Sequence, residues 1–256
     1  MKNIIKLSFM AIAVAFVSVS CLNIDQFKGN DPSTAEYAEI VTIVDGSYDV
    51  PYYVAFDNGQ KAYVAENKVA QSITFPSTPE QMRGEVRKLI YYNRENVIRE
   101  GYDFSIRIVG MQDISTSLLK NIDDKEIADQ IPTHTAPIKV QAATFSRTMN
   151  YITLQMYILR SDQDNFQHSI ILTHNKDRQG MFKDTYASTT DVDSYLWVEL
   201  YHDSDTDYEL QLEENYTTYK IDTEYLGVND MSQYRGVKIL YKDLDTKQTK
   251  VYTINF

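Results

Sequence analysis

Apolar and polar residues alternate with a period of two through most of this chain, which is the signature of half-buried strands rather than helices. In 102–109, Tyr102, Phe104, Ile106 and Ile108 alternate with Asp103, Ser105 and Arg107. The same rhythm places Ile152, Leu154, Met156 and Ile158 on one face of Tyr151–Leu159, and Leu196, Val198 and Leu200 on one face of Tyr195–Tyr201. Further strands are predicted over Tyr37–Val44, Tyr52–Phe56, Lys61–Ala65, Glu85–Tyr92 and Ser169–Thr173, with a terminal hairpin formed by Val237–Lys242 and Lys250–Phe256. Asp57-Asn58-Gly59-Gln60 separates two of these runs, and Asn-Gly between alternating stretches is a strong hairpin signal.

The predicted strands fall into two groups. Five lie within the first block, 37–115, and suit a small barrel of the OB type. The segment 116–137 reads as a linker whose Asp123–Ala128 stretch is helical and whose Pro132 and Pro137 end it. From 138 to 256 the strands resume and lengthen, as in an antiparallel β-sandwich. The fold class is therefore all-β. Tyr252, Ile254 and Phe256 could also close an outer-membrane barrel, but the polar faces of the strands supply no outward apolar band.

The first 20 residues do not belong to this pattern. Lys2 and Lys6 precede an almost wholly apolar run, Leu7–Val19, too short to cross a bilayer comfortably and typical of a secretion signal. Val17-Ser18-Val19-Ser20-Cys21 resembles a bacterial lipobox, in which the cysteine receives diacylglycerol. Cys21 is the chain's one cysteine, so no disulfide competes for it. Residues 1–20 are thus expected to be removed and 21–36, polar and carrying Gly29, Asn30 and Pro32, to act as a tether from a membrane. The expected location is the envelope, at the outer membrane, facing either the periplasm or the exterior.

Charge narrows the partners. The formal net charge is −11, and losing Lys2 and Lys6 with the signal makes the remainder more acidic still. Nucleic acid and anionic lipid surfaces both demand basic patches, so neither is an expected partner. A protein or glycan of the envelope is.

The order of parts is similar to the NigD-like lipoproteins of Bacteroides-type bacteria. The likeness rests on the lipobox, on Tyr53-Val54-Ala55-Phe56-Asp57-Asn58-Gly59, and on Gly101 to Ile108 with Asp113-Ile114. It continues through Tyr151-Ile152-Thr153-Leu154 and Leu196-Trp197-Val198-Glu199-Leu200-Tyr201-His202. The resemblance implies an OB-like first domain, a C-terminal β-sandwich, and a link to bacteriocin immunity or export. It carries no catalytic residues.

Direct reading of the residues finds no catalytic constellation either. There is no Gly-x-Ser-x-Gly elbow and no phosphate loop. His168 and His174 are six apart on a strand, about 20 Å, too far to share a metal; with His134 and His202 they read as exposed turn residues. Asp203, Asp205 and Asp207, with Glu214 at the twelfth place, follow the spacing of an EF-hand loop, but Tyr208 stands where that loop needs glycine. No cofactor is therefore expected, with Ca²⁺ at these four residues as the alternative. The aromatic residues are the more promising group. Tyr195, Trp197 and Tyr201 project opposite the core face of their strand, and Tyr151 and Tyr157 do so on theirs. Exposed, they would stack on a sugar or anchor a protein; otherwise they pair across strands or are covered by the first domain. The reading is a non-enzymatic binding or accessory module, with an envelope hydrolase or a calcium-dependent glycan-binding protein as alternatives.

Overall fold

The computed structural model describes residues 28–29, 34–44, 53–67, 85–126, 131–132, 135–146, 149–161, 168–186, 194–205, 207, 211–224, 226–227 and 231–256. The signal segment 1–20, Cys21, most of the tether and His134 lie outside them.

The first sheet closes on itself. Its strands are β1 (Lys28–Gly29), β2 (Tyr37–Val44), β3 (Tyr53–Phe56), β4 (Lys61–Asn67), β5 (Glu85–Glu95) and β6 (Phe104–Asp113). β2, β3 and β4 form an antiparallel meander; β6 lies parallel to β4, and β5 pairs antiparallel with both β6 and β2. Those five strands make the OB-like barrel. Its alternation places Val41, Ile43, Val54, Phe56, Ile90, Tyr92, Phe104, Ile106 and Ile108 in one core. The β3–β4 turn depends on Gly59, whose φ of 88° suits glycine, and its amide donates to the Phe56 carbonyl.

The remaining strands build a sandwich of two sheets. One has the order β10-β11-β14-β7: β10 is Lys139–Ser146, β11 Tyr151–Arg160, β14 Gln211–Lys220 and β7 Ser115–Leu118. The other runs β16-β15-β13-β12-β8, with β16 Thr249–Asn255, β15 Gly236–Lys242, β13 Tyr195–Asp203, β12 Ser169–Asn175 and β8 Lys120–Ile122; β9 (Thr135–Ala136) pairs with β13. Most neighbours are antiparallel, but β14–β7, β12–β8 and β13–β15 are parallel. The core between the sheets holds Ile152, Leu154, Met156, Ile158, Leu196, Val198 and Leu200, the inward series that the alternation predicts.

Three segments differ from the sequence reading. Ser115–Leu118 and Lys120–Ile122 enter opposite sandwich sheets, and 124–126 form a turn, where a helix-bearing linker was expected. A helix, α1 (Gln179–Tyr186), covers the outer face of β13 and buries Phe182 there. Strand β14, QLEENYTTYK, has no apolar alternation, because Glu213, Asn215 and Thr217 on its core side are as polar as the residues it turns to the first domain. No helix among the described residues is long and apolar enough to cross a membrane.

Candidate functional site: the cleft between barrel and sandwich

The barrel sits against the outer face of the β10-β11-β14-β7 sheet, and a single arginine fixes the contact. Arg87, on β5, has a side chain that is 0% exposed. Its guanidinium donates to both carboxylate oxygens of Asp57 at 2.6 and 2.9 Å, to Thr42 Oγ1 at 3.0 Å, and across the domain boundary to Thr153 Oγ1 at 2.8 Å. The planar, forked guanidinium can meet all of these at once, which an ammonium could not. It also lies over the Tyr151 ring, 4.9 Å from its centroid, while Lys220 Nζ is 4.5 Å from that same centroid. Tyr151 is fully buried between these two cations. The first domain thus covers part of the aromatic face predicted on β11.

Beside this clasp the two domains diverge and leave a cleft of about 510 Å³. Its barrel side sets the apolar Ala38, Ile40 and Leu89 among Glu39, Asp57, Asn58 and Tyr91; its sandwich side carries four consecutive residues of β10, Ala142–Phe145. Further polar groups come from β11 and β14. Gln155 Nε2 donates to Glu214 Oε1 at 2.5 Å, and Tyr216 OH donates to the same oxygen at 3.0 Å. Burial pushes the Tyr216 and Tyr91 phenols up, and the adjacent Glu214 charge adds to it, so both remain neutral O–H groups. Glu39 also lines the cleft and accepts a hydrogen bond from Tyr92 OH at 2.9 Å. Among the described residues no Lys or Arg side chain lines it. A carboxylate framed by phenols and an amide, beside apolar walls, suits a cation or N–H donor attached to an apolar body.

The other predicted residues are dispersed. Trp197 is 4% exposed, packed beneath α1 against Phe182 and Leu240, with Lys238 Nζ 5.0 Å from its ring. The strand parity is as expected, but the helix removes Trp197 from the surface. Tyr195 shares Lys238 and donates to Asn255 Oδ1, while Tyr201 is half-buried with its hydroxyl donating to Glu199 Oε1 at 2.7 Å. Tyr157 is half-buried on β11, across from Glu214.

The four acids spaced like a calcium loop do not meet. Glu214 faces the cleft from β14, in the sheet opposite Asp203. Asp203 Oδ1 accepts the Asp205 amide at 3.1 Å. Asp207 turns inward: its Oδ2 accepts the Ser161 amide at 2.8 Å and lies 2.9 Å from His168 Nε2. Among the described residues no three His, Cys, Asp or Glu side chains converge as a metal would require.

His168, His174 and His202 are not surface turn residues. His168 Nδ1 is 2.8 Å from His202 Nε2, so Asp207, His168 and His202 form one chain of hydrogen bonds inside the sandwich. His202 continues the inward series of Leu196, Val198 and Leu200, and that parity was the available signal for its burial. His174 is buried beside Asn121. Burial lowers both His174 and His202 to about 4, with the neighbouring His168 adding to the effect on His202. Unfolded imidazoles titrate near 6.5, so between pH 6.5 and 4 the unfolded chain binds more protons and stability falls as pH falls. Each site should contribute a loss on the order of 3 kcal/mol when titration is complete. Melting temperatures measured from pH 7 to pH 4.5 should drop, and His174→Gln should flatten that slope; equal slopes would remove His174 from the account.

Comparison with known proteins agrees with this architecture. Residues 120–256 match the family model of the NigD-like C-terminal beta sandwich domain. No curated protein sequence matches the chain. Among solved structures, a NigD-like immunity protein from Bacteroides caccae superposes with a TM-score of 0.57 at 20% identity, covering 84% of this chain and 91% of that one. A protein of unknown function from Bacteroides vulgatus gives a TM-score of 0.60 at 14% identity, covering 86% and 90%. A structure from Bacteroides fragilis, named as a proposed lipoprotein, gives 0.57 at 13% identity, covering 86% and 97%. The family model spans more than half of the sequence, and the chain belongs to the NigD-like family.

Proposed function

We propose that this protein is a lipid-anchored, non-enzymatic binding protein of the outer membrane that serves bacteriocin immunity through the cleft between its two domains. The observation that carries the reading is the cleft itself. It pairs apolar surface with Glu214, held by Gln155 and Tyr216, and with Glu39, and among the described residues no cation lines it to neutralise them. Such a site favours a cationic, partly apolar ligand. The lipobox-like sequence ending at Cys21 supports the anchor, and the relation to an immunity protein supports the biological setting.

Deleting the gene should raise sensitivity to bacteriocins from neighbouring strains. Wild-type protein should restore protection, whereas a Glu214→Gln, Tyr216→Phe double variant that accumulates to the same level should not. Unchanged sensitivity in the deletion strain rejects the immunity role; full protection by the double variant rejects the cleft as its site.

A further inference from the structure

Strand β10 is both a wall of the cleft and an edge of its sheet. Among the described residues it is hydrogen-bonded along one side only, to β11. β16, in the other sheet, shares no ladder with it, and Phe256, which follows β16, stacks on Phe145 with 4.2 Å between centroids. An edge strand presents a row of unpaired N–H and C=O groups, and proteins usually protect it with lysine, proline, a bulge or brevity.

On β10 that protection is confined to the start. Pro137 precedes the strand, Lys139 is paired with Asp245 at 3.3 Å, and the register shifts between Val140 and Ala142. From Ala142 to Ser146 the pairing with β11 is regular, and this stretch has no charge and no proline. The same stretch borders the cleft, and the opposite wall offers apolar surface at Ala38, Ile40 and Leu89. Glu214 and Glu39 supply negative charge, and neither has a cationic partner among the described residues.

We propose that an extended polypeptide segment of another protein, carrying basic and small apolar side chains, adds to β10 as a strand and directs alternate side chains into the cleft. Main-chain hydrogen bonds would supply affinity, and the cleft would choose the side chains. The inference rests on the cleft as the binding site and adds the class of ligand. A second copy of this chain is the weaker occupant, because it would bring a net charge of −11 toward an acidic cleft.

The test uses the full-length protein and an N-acetylated octapeptide in which threonine alternates with lysine, valine, valine and lysine. In a strand only alternate residues turn their N–H and C=O toward a given neighbour. Two methylated versions are compared, one N-methylated at the threonines and one at the other four residues. Strand addition predicts that exactly one series loses at least tenfold in affinity, and that the parent peptide slows amide exchange at Ala142–Ser146. Equal affinity of the two series, no binding of the parent peptide, or a dimer that protects these amides without peptide overturns the proposal. Glu214→Gln separates this from the cleft reading. If the two methylated series bind equally and Glu214→Gln weakens both, the cleft stands and strand addition falls; if it changes nothing while one series still fails, the acidic end of the cleft is excluded.

Discussion

Replacing Arg87 with methionine is expected to cost about 3–5 kcal/mol, toward the lower end, and to loosen the barrel from the sandwich. The guanidinium is withdrawn from solvent and forms bonds to Asp57, Thr42 and Thr153. Removing it leaves the Asp57 carboxylate without its counter-charge. Asp57 is 22% exposed, so water recovers part of that loss, which sets the lower end of the range. The Thr153 bond is the one that crosses between domains. Urea unfolding of the variant should therefore show both a lower midpoint and a separation of the transition reported by Trp197, which lies in the sandwich, from that of the whole chain by circular dichroism. Adding Asp57→Asn should restore part of the stability, because a neutral amide is cheaper to bury unpaired than a carboxylate. A midpoint unchanged within error in the single variant would mean that the clasp does not hold the domains.

The second large effect is expected at Gly236. An added Cβ there would lie 1.9 Å from the Ile254 carbonyl oxygen and 2.9 Å from Tyr195 Cε1. Its backbone is ordinary extended strand, so the requirement is one of space. β15 begins at Gly236, paired with Tyr195 of β13 and Asn255 of β16, and the Tyr195 ring and the Ile254 backbone occupy the space where a side chain would go. The nearest obstruction is backbone, which cannot swing aside as a flexible side chain would. Gly236→Ala should cost about 3 kcal/mol or more by displacing the final strand. Gly180→Ala provides the contrast: nothing lies within 4 Å of its Cβ, it is within α1, and the change should be neutral or stabilise by about 0.5–1 kcal/mol. Thermal denaturation of the two variants tests both, and similar behaviour would discard the steric account.

The fold could be read from the sequence where burial is one-sided. Phe104, Ile106 and Ile108, and Leu196, Val198 and Leu200, alternate because each strand has one face toward a core and one away from it. Asn58-Gly59 marked its turn for an equally local reason, since glycine tolerates the positive φ found there. Strand β14 escaped because the residues it turns to the core side, opposite Ile158, Met156 and Leu154, are Glu213, Asn215 and Thr217, as polar as the outward Glu214 that serves the cleft.

The site itself depended on contacts between residues far apart in sequence. Arg87 and Thr153 are 66 positions apart, and their bond exists only because the barrel docks on the sandwich. Trp197 had the right parity for an exposed face, yet a short helix from elsewhere in the chain covers it. Asp203, Asp205, Asp207 and Glu214 kept the spacing of an ion-binding loop while the tertiary structure sent Asp207 to His168 and Glu214 to Gln155 and Tyr216. The sequence by itself determined which face of most strands turns inward, because that is a local consequence of alternation and water. Which outward faces stay open, which are covered, and which side chains meet in the cleft was decided by how two domains and a helix pack, a matter of long-range contact.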